Sequence, residues 1–271
     1  MALCLDTHCH LDASEFDFDR LDVVDHAVKC GIDGVLIPAI GVHNFDVVKN
    51  ITHQVSDQLP ASCYTLGIHP ISTSFAKEAD ILVLRKAVEK ALIDPRFVGI
   101  GEIGLDYFLP ELDFYKQAYF FEAQLDLAEE FNLPVILHVR RSQDAIIKAL
   151  KNRKISGGIA HAFNGSLEQA KNFLKLNFVL GFGGAMTYVR ALQIRRLAQE
   201  LPFESLVLET DAPDIPPSWL TQGANRRNQP SELSAIASVL AELRQTLISQ
   251  TKDICAKNAL RVLPRWQSLL D

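Results

Sequence analysis

Two histidines near the start of the chain have the types and the spacing of metal ligands. His8 and His10 lie in the stretch 6–10 (Asp-Thr-His-Cys-His), directly after the apolar run 1–5. If that run is a β-strand, residues two apart point to the same side, so both imidazoles project from one strand end. Nitrogen donors of this kind bind zinc and similar divalent ions at about 2.0–2.1 Å. Two ordinary histidines in a turn are the alternative for this motif taken alone.

The segments that must position this pair alternate between strand and helix along the chain. The predicted strands lie at 1–5, 34–40, 62–69, 97–102, 134–139, 157–162, 178–183 and 205–210, and the predicted helices at 20–30, 44–57, 79–93, 113–131, 142–151, 166–176, 190–200, 231–246 and 251–263. Nearly continuous apolar strands separated by helices predict a parallel sheet, and eight such units favour a closed (β/α)8 TIM barrel of the α/β class. An open doubly wound sheet is disfavoured because no Gly-x-Gly-x-x-Gly turn opens the first helix.

The barrel interpretation can be tested on the sequence, because the catalytic groups of such barrels lie at the carboxyl ends of the strands. Residue types that bind metals occur there at six places, namely His8, His10, Glu102, His138, His161 and Asp211. Each one alone has an ordinary explanation, such as a capping carboxylate or a histidine bonded to the backbone. Six of them at equivalent positions indicate one shared site.

The composition of this set points to more than one ion. Four histidines and two acids exceed the four ligands of one tetrahedral metal, whereas two metals about 3.5–4 Å apart need one bridging ligand and several terminal ones. Glu102 lies midway around the predicted barrel and can span both ions. We therefore expect two divalent metal ions, with zinc, manganese, magnesium and iron as candidates.

Several motifs give the chain a resemblance to a known family over nearly its full length. They lie at 6–10, 67–70 (Gly-Ile-His-Pro), 101–106 (Gly-Glu-Ile-Gly-Leu-Asp), 133–138 (Leu-Pro-Val-Ile-Leu-His) with Arg140, 161–165 (His-Ala-Phe-Asn-Gly), 208–213 (Leu-Glu-Thr-Asp-Ala-Pro) and 227–230 (Arg-Asn-Gln-Pro). The sequence resembles the TatD family of metal-dependent deoxyribonucleases, within the amidohydrolase-like barrels. The resemblance implies hydrolysis of phosphodiester bonds in DNA, as an exonuclease, with Glu102 bridging the metals and the other five residues of the set as terminal ligands.

Two positions depart from the family pattern. Asn164 replaces the usual serine of His-x-Phe-Ser-Gly, and Ile71 replaces the histidine that often follows Gly-x-His-Pro. Neither is a predicted ligand, and both are expected in loops over the active face. They therefore bear on substrate preference rather than on hydrolysis.

Asp211 and Glu102 are the expected catalytic residues. Two divalent ions lower the pKa of a bound water, and Asp211, a ligand carboxylate beside that water, is the expected general base. His69 precedes Pro70, and we expect it to contact the substrate phosphate or to donate a proton. A purely structural role for His69 is the alternative.

Two arginines are expected at the mouth of the barrel. Arg140 shares strand parity with His138, so it should point at the same mouth and bind a phosphate oxygen. A salt bridge to an acid such as Glu209 is the alternative for Arg140. Arg227 is expected to line the mouth as a further substrate contact.

Composition limits the partners of the protein. A net charge of −6 argues against a broad basic surface, so DNA would be held locally, at strand ends or as flexible single strands. Five scattered cysteines fit reduced thiols, and the sequence shows no signal peptide and no membrane-spanning run. We predict a cytoplasmic protein with no membrane partner, a monomer, with residues 1–271 as one domain.

Two other functions stay open at this point. The same metal site can hydrolyse a small ester, lactone, amide or phosphotriester, because fold does not fix substrate. A barrel that has lost catalysis and only binds is the third possibility. The intact set of six ligands argues against that third possibility.

Overall fold

A parallel eight-stranded sheet forms the centre of the molecule. The computed structural model describes residues 2–220 and 226–270. In that part of the chain the strands are β1 (Leu5–Asp6), β2 (Gly34–Pro38), β3 (Cys63–Leu66), β4 (Phe97–Asp106), β5 (Val135–Arg140), β6 (Gly158–Ala160), β7 (Phe178–Phe182) and β8 (Leu206–Leu208). Each strand pairs in parallel with the next one in the sequence.

Hydrogen bonds between the first and the last strand close this sheet into a barrel. The Thr7 amide donates to the Leu208 carbonyl at 3.1 Å, and just beyond, the Asp211 amide donates to the His8 carbonyl at 2.8 Å. The predicted (β/α)8 barrel is therefore confirmed, and the open doubly wound alternative is wrong. Closure brings the two ends of the sheet, and the residues that follow them, into contact.

Helices follow the strands and cover the outside of the barrel. In the described residues they are α1 (Arg20–Lys29), α2 (Phe45–Val55), α3 (Ala79–Ala91), α4 (Phe114–Glu130), α5 (Gln143–Lys151), α6 (Leu167–Lys175), α7 (Leu192–Glu200), α8 (Leu233–Arg244), α9 (Ile248–Val262) and α10 (Pro264–Gln267). The predicted helices match α1 to α9 apart from a few terminal residues. The short α10 was not predicted, and β4 extends beyond the predicted end at 102 because its last residue, Asp106, pairs with Arg140 of β5.

Each strand contributes one buried apolar residue to the packing at one end of the barrel. These buried residues are Leu5, Leu36, Cys63, Val98, Ile136, Ile159, Val179 and Val207, and they form one cluster with α9 and α10. Trp266 of α10 is fully buried in this cluster, and its indole nitrogen donates to the Ala61 carbonyl at 2.6 Å. Large apolar side chains thus close the barrel at its amino-terminal end, which leaves the carboxyl end of the strands for polar groups.

Four of the five cysteines are buried in the fold. All five cysteines are free thiols, and Cys9, between the two histidines of the first motif, is fully buried. Burial raises the pKa of the Cys9 thiol well above its usual value. Among the described residues, none of the helices combines the length and the apolar character that a membrane crossing requires.

Candidate metal centre

Glu102 lies at the centre of a cluster of histidines at the carboxyl end of the barrel. Only 1% of the residue is exposed. Its Oε2 atom lies 3.1 Å from His8 Nε2 and 3.5 Å from His10 Nε2. Its Oε1 atom lies 3.0 Å from His138 Nδ1 and 2.9 Å from His161 Nε2. The two oxygens of one carboxylate therefore face two different pairs of imidazoles.

Asp211 completes the first of these two groups. Its Oδ1 atom lies 3.6 Å from His8 Nε2 and 3.8 Å from His10 Nε2. Asp211 has φ 59°, so the backbone turns sharply after β8 and directs this side chain at the histidines of β1. All six residues predicted from the sequence are thus brought together, in a group of His8, His10 and Asp211 and a group of His138 and His161.

The donor atoms of both groups suit divalent cations. His8 Nε2 and His10 Nε2 are only 3.3 Å apart, and the ligand atoms of His8, His10 and Asp211 all lie within 4.8 Å of one another. Burial lowers the pKa of His8 well below its usual value, so this imidazole is neutral and offers a lone pair. Imidazole nitrogens around shared carboxylates form the donor set that zinc, manganese and iron accept.

His69 also approaches Glu102, but its hydrogen bonds make it a donor rather than a ligand. Its Nε2 atom lies 3.3 Å from Glu102 Oε1, and its Nδ1 atom accepts from the Ile71 amide at 3.1 Å. Burial lowers the pKa of His69 to about 4, so the ring is neutral at pH 7. A neutral ring that accepts at Nδ1 carries its proton on Nε2. His69 therefore presents an N–H group to the centre, although its atoms are close enough to group with Glu102 and His138.

Asp106, the last residue of the motif at 101–106, is a functional candidate for which the sequence predicted no role. This buried residue ends β4, and its Oδ2 atom lies 3.0 Å from His138 Nε2. A carboxylate on the outer nitrogen of a histidine fixes the tautomer and the ring orientation. The inner atom, His138 Nδ1, lies 3.0 Å from Glu102 Oε1.

We expect the substitution Asp106→Ala to lower metal affinity or kcat about 10- to 100-fold, the usual effect of losing such an outer partner. The reason is that the ring of His138 loses the acceptor at 3.0 Å that orients it. Metal titration and steady-state kinetics measure the effect, and thermal denaturation checks the fold. Unchanged metal affinity together with unchanged kcat would contradict this role.

Two buried glutamines of α4 fix the loops that carry these groups. Gln117 accepts from the Asp106 amide at 2.7 Å and donates to the Asp106 carbonyl at 3.1 Å. Gln124 makes the same pair of bonds with Ile68, at 2.6 and 3.0 Å, directly before His69. The two glutamines are seven residues apart, on the buried face of one helix. That spacing in an otherwise apolar helix face is the sequence signal that could have identified them.

The backbone after β8 is held by polar residues from distant parts of the chain. Asp6 accepts from the Thr210 hydroxyl at 2.6 Å and from the Thr210 amide at 2.9 Å. Asn228 donates to the carbonyls of Thr210 at 2.7 Å and Asp214 at 2.8 Å. The Arg-Asn-Gln-Pro motif therefore contributes Asn228 as a clamp on the loop that presents Asp211.

Glu209 lies behind the centre, where it does not meet Arg140. Burial raises the pKa of Glu209 to about 8. Its Oε1 atom accepts from the Ala162 amide and lies 4.0 Å from His161 Nδ1. Gly181 provides the space, because a Cβ atom there would lie 2.0 Å from Glu209 Oε2. Glu209, the suggested partner of Arg140, lies beside His161 instead.

A cavity of about 800 Å³ opens above the metal-ligand candidates. Its lining includes His10, His69, Glu102, His138, His161 and Asp211, and also Ile71 and Asn164, the two departures from the family pattern. Arg140 lines it too, as the strand parity predicted, and its side chain is 48% exposed. Its guanidinium lies 3.6 Å from Asp106, so the acid beside Arg140 is Asp106 and not the suggested Glu209.

Arg227 is placed differently from the prediction. It pairs with Asp19 through two hydrogen bonds of 2.9 and 2.6 Å, and it also donates to the Glu15 carbonyl. Its guanidinium lies 4.8 Å from the ring of Phe16, and Arg227 does not belong to the lining of the cavity described above. The expected substrate contact of Arg227 stays a prediction that this geometry does not support.

Comparison with known proteins gives matches over nearly the whole chain. The family model described as TatD related DNase matches residues 5–264. The uncharacterized metal-dependent hydrolase YjjV of Escherichia coli is 36% identical over 242 residues, which cover 89% of this chain and 90% of YjjV. The crystal structure of YjjV superposes with a TM-score of 0.88 over 96% of this chain and 98% of that chain, at 32% identity. The 3'-5' ssDNA/RNA exonuclease TatD of Rahnella is 32% identical, over 93% of this chain and 95% of its own length.

Proposed function

Because this chain belongs to the TatD related DNase family and is a metal-dependent hydrolase, we propose that it hydrolyses phosphodiester bonds of single-stranded DNA. The reaction we propose uses two divalent cations at the carboxyl end of the barrel. Shortening of strands from an end is the expected mode of action, as in the Rahnella relative, which is named a 3'-5' ssDNA/RNA exonuclease.

The geometry of Glu102 is the single observation that carries this proposal. Its two carboxylate oxygens face separate groups of donors, at 3.1 and 3.5 Å on one side and at 3.0 and 2.9 Å on the other. A carboxylate so placed is suited to bridge two cations. His8, His10 and Asp211 would hold one of them, and His138 and His161 the other. Two divalent cations would supply an acidified water and neutralise charge on the phosphate.

Asp211 is the proposed general base. Burial raises the pKa of Asp211 above its usual value, which makes its carboxylate a better proton acceptor. Asp211 would take the proton of the attacking water and hold it at an Oδ atom. The clamp formed by Asn228 fixes the loop so that this carboxylate stays directed at the cluster.

Arg140 and His69 are the proposed contacts to the scissile phosphate. Arg140 carries a permanent charge at the cavity wall, and its planar donors match phosphate oxygens. His69 presents the N–H at Nε2 to the same space and can donate that proton to the leaving oxygen. The substrate would be held by these groups and the cations, which reconciles nucleic-acid chemistry with a net charge of −6.

A second candidate function is the hydrolysis of a small ester or lactone. It is favoured by the apolar part of the cavity lining, which includes Ile71, Leu109 and Ile215. Ligand pockets for small neutral molecules are lined mainly by such side chains. The arginines of the same cavity favour a polyanion, and we therefore rank this function second.

The proposal is tested with metal-stripped protein that is re-supplied with magnesium, manganese or zinc. We expect a labelled single-stranded oligonucleotide to be shortened only when metal is present, because the acidified water depends on the cations. A duplex of the same length and an aryl ester or lactone serve as matched substrates. If the protein binds about two equivalents of metal and cleaves the ester but leaves DNA intact, the second candidate function replaces the first.

A further inference from the structure

Phe108 is an exposed aromatic residue in the wall of the catalytic cavity. It lies in the loop between β4 and α4, and 43% of it is exposed. Its amide donates to Asp106 Oδ1 at 2.9 Å, the carboxylate whose other oxygen contacts His138. Asp106 therefore links the backbone of Phe108 to His138, one of the metal-ligand candidates. It lines the same cavity as Glu102.

Two consecutive arginines converge on this ring. The guanidinium carbons of Arg140 and Arg141 lie 3.9 and 4.7 Å from the centroid of Phe108. Successive residues of a strand normally point to opposite sides. Arg141 follows the end of β5 with φ 56°, and this left-handed backbone accompanies the approach of both side chains to one ring. The loop thus combines one accessible aromatic surface with two permanent positive charges.

We propose that Phe108, Arg140 and Arg141 form a subsite for the unpaired nucleotide next to the scissile phosphate. The base would stack on the exposed part of the Phe108 ring, and the arginines would hold its phosphate. The proposal rests on the proposed nuclease function and adds the recognition of a nucleobase to it. Aromatic rings beside cationic groups are the combination that binds single-stranded nucleic acid without sequence preference.

Such a subsite selects unpaired nucleotides. A base inside a duplex is stacked on both faces by its neighbours, so a protein ring reaches it only after the base leaves the stack. A terminal or single-stranded base has a free face. The cavity therefore favours strand ends and single strands through Phe108, in addition to the phosphate contacts.

The substitution Phe108→Leu tests the subsite, because it keeps apolar volume and removes the aromatic face. We expect it to raise KM for a single-stranded oligonucleotide about fivefold or more, the lower end of what one stacked base contributes, with a smaller change in kcat. Phe108→Tyr keeps an aromatic face and should retain the wild-type KM. Phe75→Leu is the matched control, since Phe75 is 90% exposed and lies outside the lining of this cavity.

A second substrate separates base stacking from other roles of the ring. In this strand, abasic residues replace the nucleosides at both ends. We expect the wild-type protein to prefer the base-bearing strand and Phe108→Leu to lose that preference. If Phe108→Leu raises KM equally for both strands, the ring only positions the arginines, and the proposed base stacking is disproved.

The two proposals fail in different ways. If the wild-type protein cleaves DNA and Phe108→Leu keeps the wild-type KM for the base-bearing strand, the subsite is disproved and the nuclease function stands. If the wild-type protein cleaves neither strand with any of the metals, the nuclease function is disproved and the subsite with it.

Discussion

The variant Glu102→Ala is expected to lose metal-dependent cleavage of DNA by about 10³-fold or more, beyond the 10- to 100-fold that removal of an outer partner costs. Glu102 is the one carboxylate that touches both groups of donors in the described cluster, at distances of 2.9 to 3.5 Å. Without it, the remaining carboxylate of the six, Asp211, belongs to one group alone. The measurements are kcat on a single-stranded oligonucleotide and the metal content of the purified variant.

A matched control exists in the same region of the chain. Glu111 is an exposed acid of the loop after β4, so Glu111→Ala changes the net charge equally and leaves the cluster intact. Its kcat and metal content should equal those of the wild type. Thermal denaturation of both variants checks that the barrel stays folded. A Glu102→Ala protein that keeps two metals and substantial activity would disprove the bridging role.

The variant Asp211→Asn is expected to lower kcat about 10²- to 10⁴-fold with little change in KM, the range in which a general base contributes. The amide keeps an oxygen donor in the position that lies 3.6 Å from His8 Nε2, but it cannot take a proton. Kinetics are measured at saturating metal, so that a modest loss of metal affinity does not limit the rate.

The metal content of Asp211→Asn decides between two explanations of a loss of activity in this variant. If the variant binds as much metal as the wild type but its kcat is lowered, Asp211 acts as the base. If the rate returns fully when more metal is supplied, Asp211 serves only to hold a cation, and the general-base assignment is wrong.

The barrel fold and the clustering of the six metal-ligand candidates could be predicted from the sequence, for a physical reason. Strand and helix have different periods of apolar residues, and the carboxyl ends of parallel strands lie on one face. Residues as far apart as His8 and Asp211 could therefore be placed together without any knowledge of their side-chain contacts. The single-domain extent, the cellular compartment and the monomeric state stay predictions.

The side chains that contact the arginines could not be predicted from the sequence in this way. The acid beside Arg140 depends on the register between β4 and β5, which sets Asp106 opposite Arg140. Arg227 meets Asp19 because barrel closure joins segments 208 positions apart. The convergence of Arg140 and Arg141 on Phe108 depends on loop conformation. Strand periodicity carries no information about any of these.

Closure of the barrel also determines when, during folding, the metal-ligand candidates come together. The contacts of Thr7 with Leu208 and of Trp266 with Ala61 each join positions about 200 residues apart. Long-range pairing of this kind slows folding. As the chain emerges during synthesis, His8, His10, Glu102, His138 and His161 are all made before Asp211. The six donors therefore come together only after the last strand has joined the first, and we expect tight binding of metal to follow closure of the barrel.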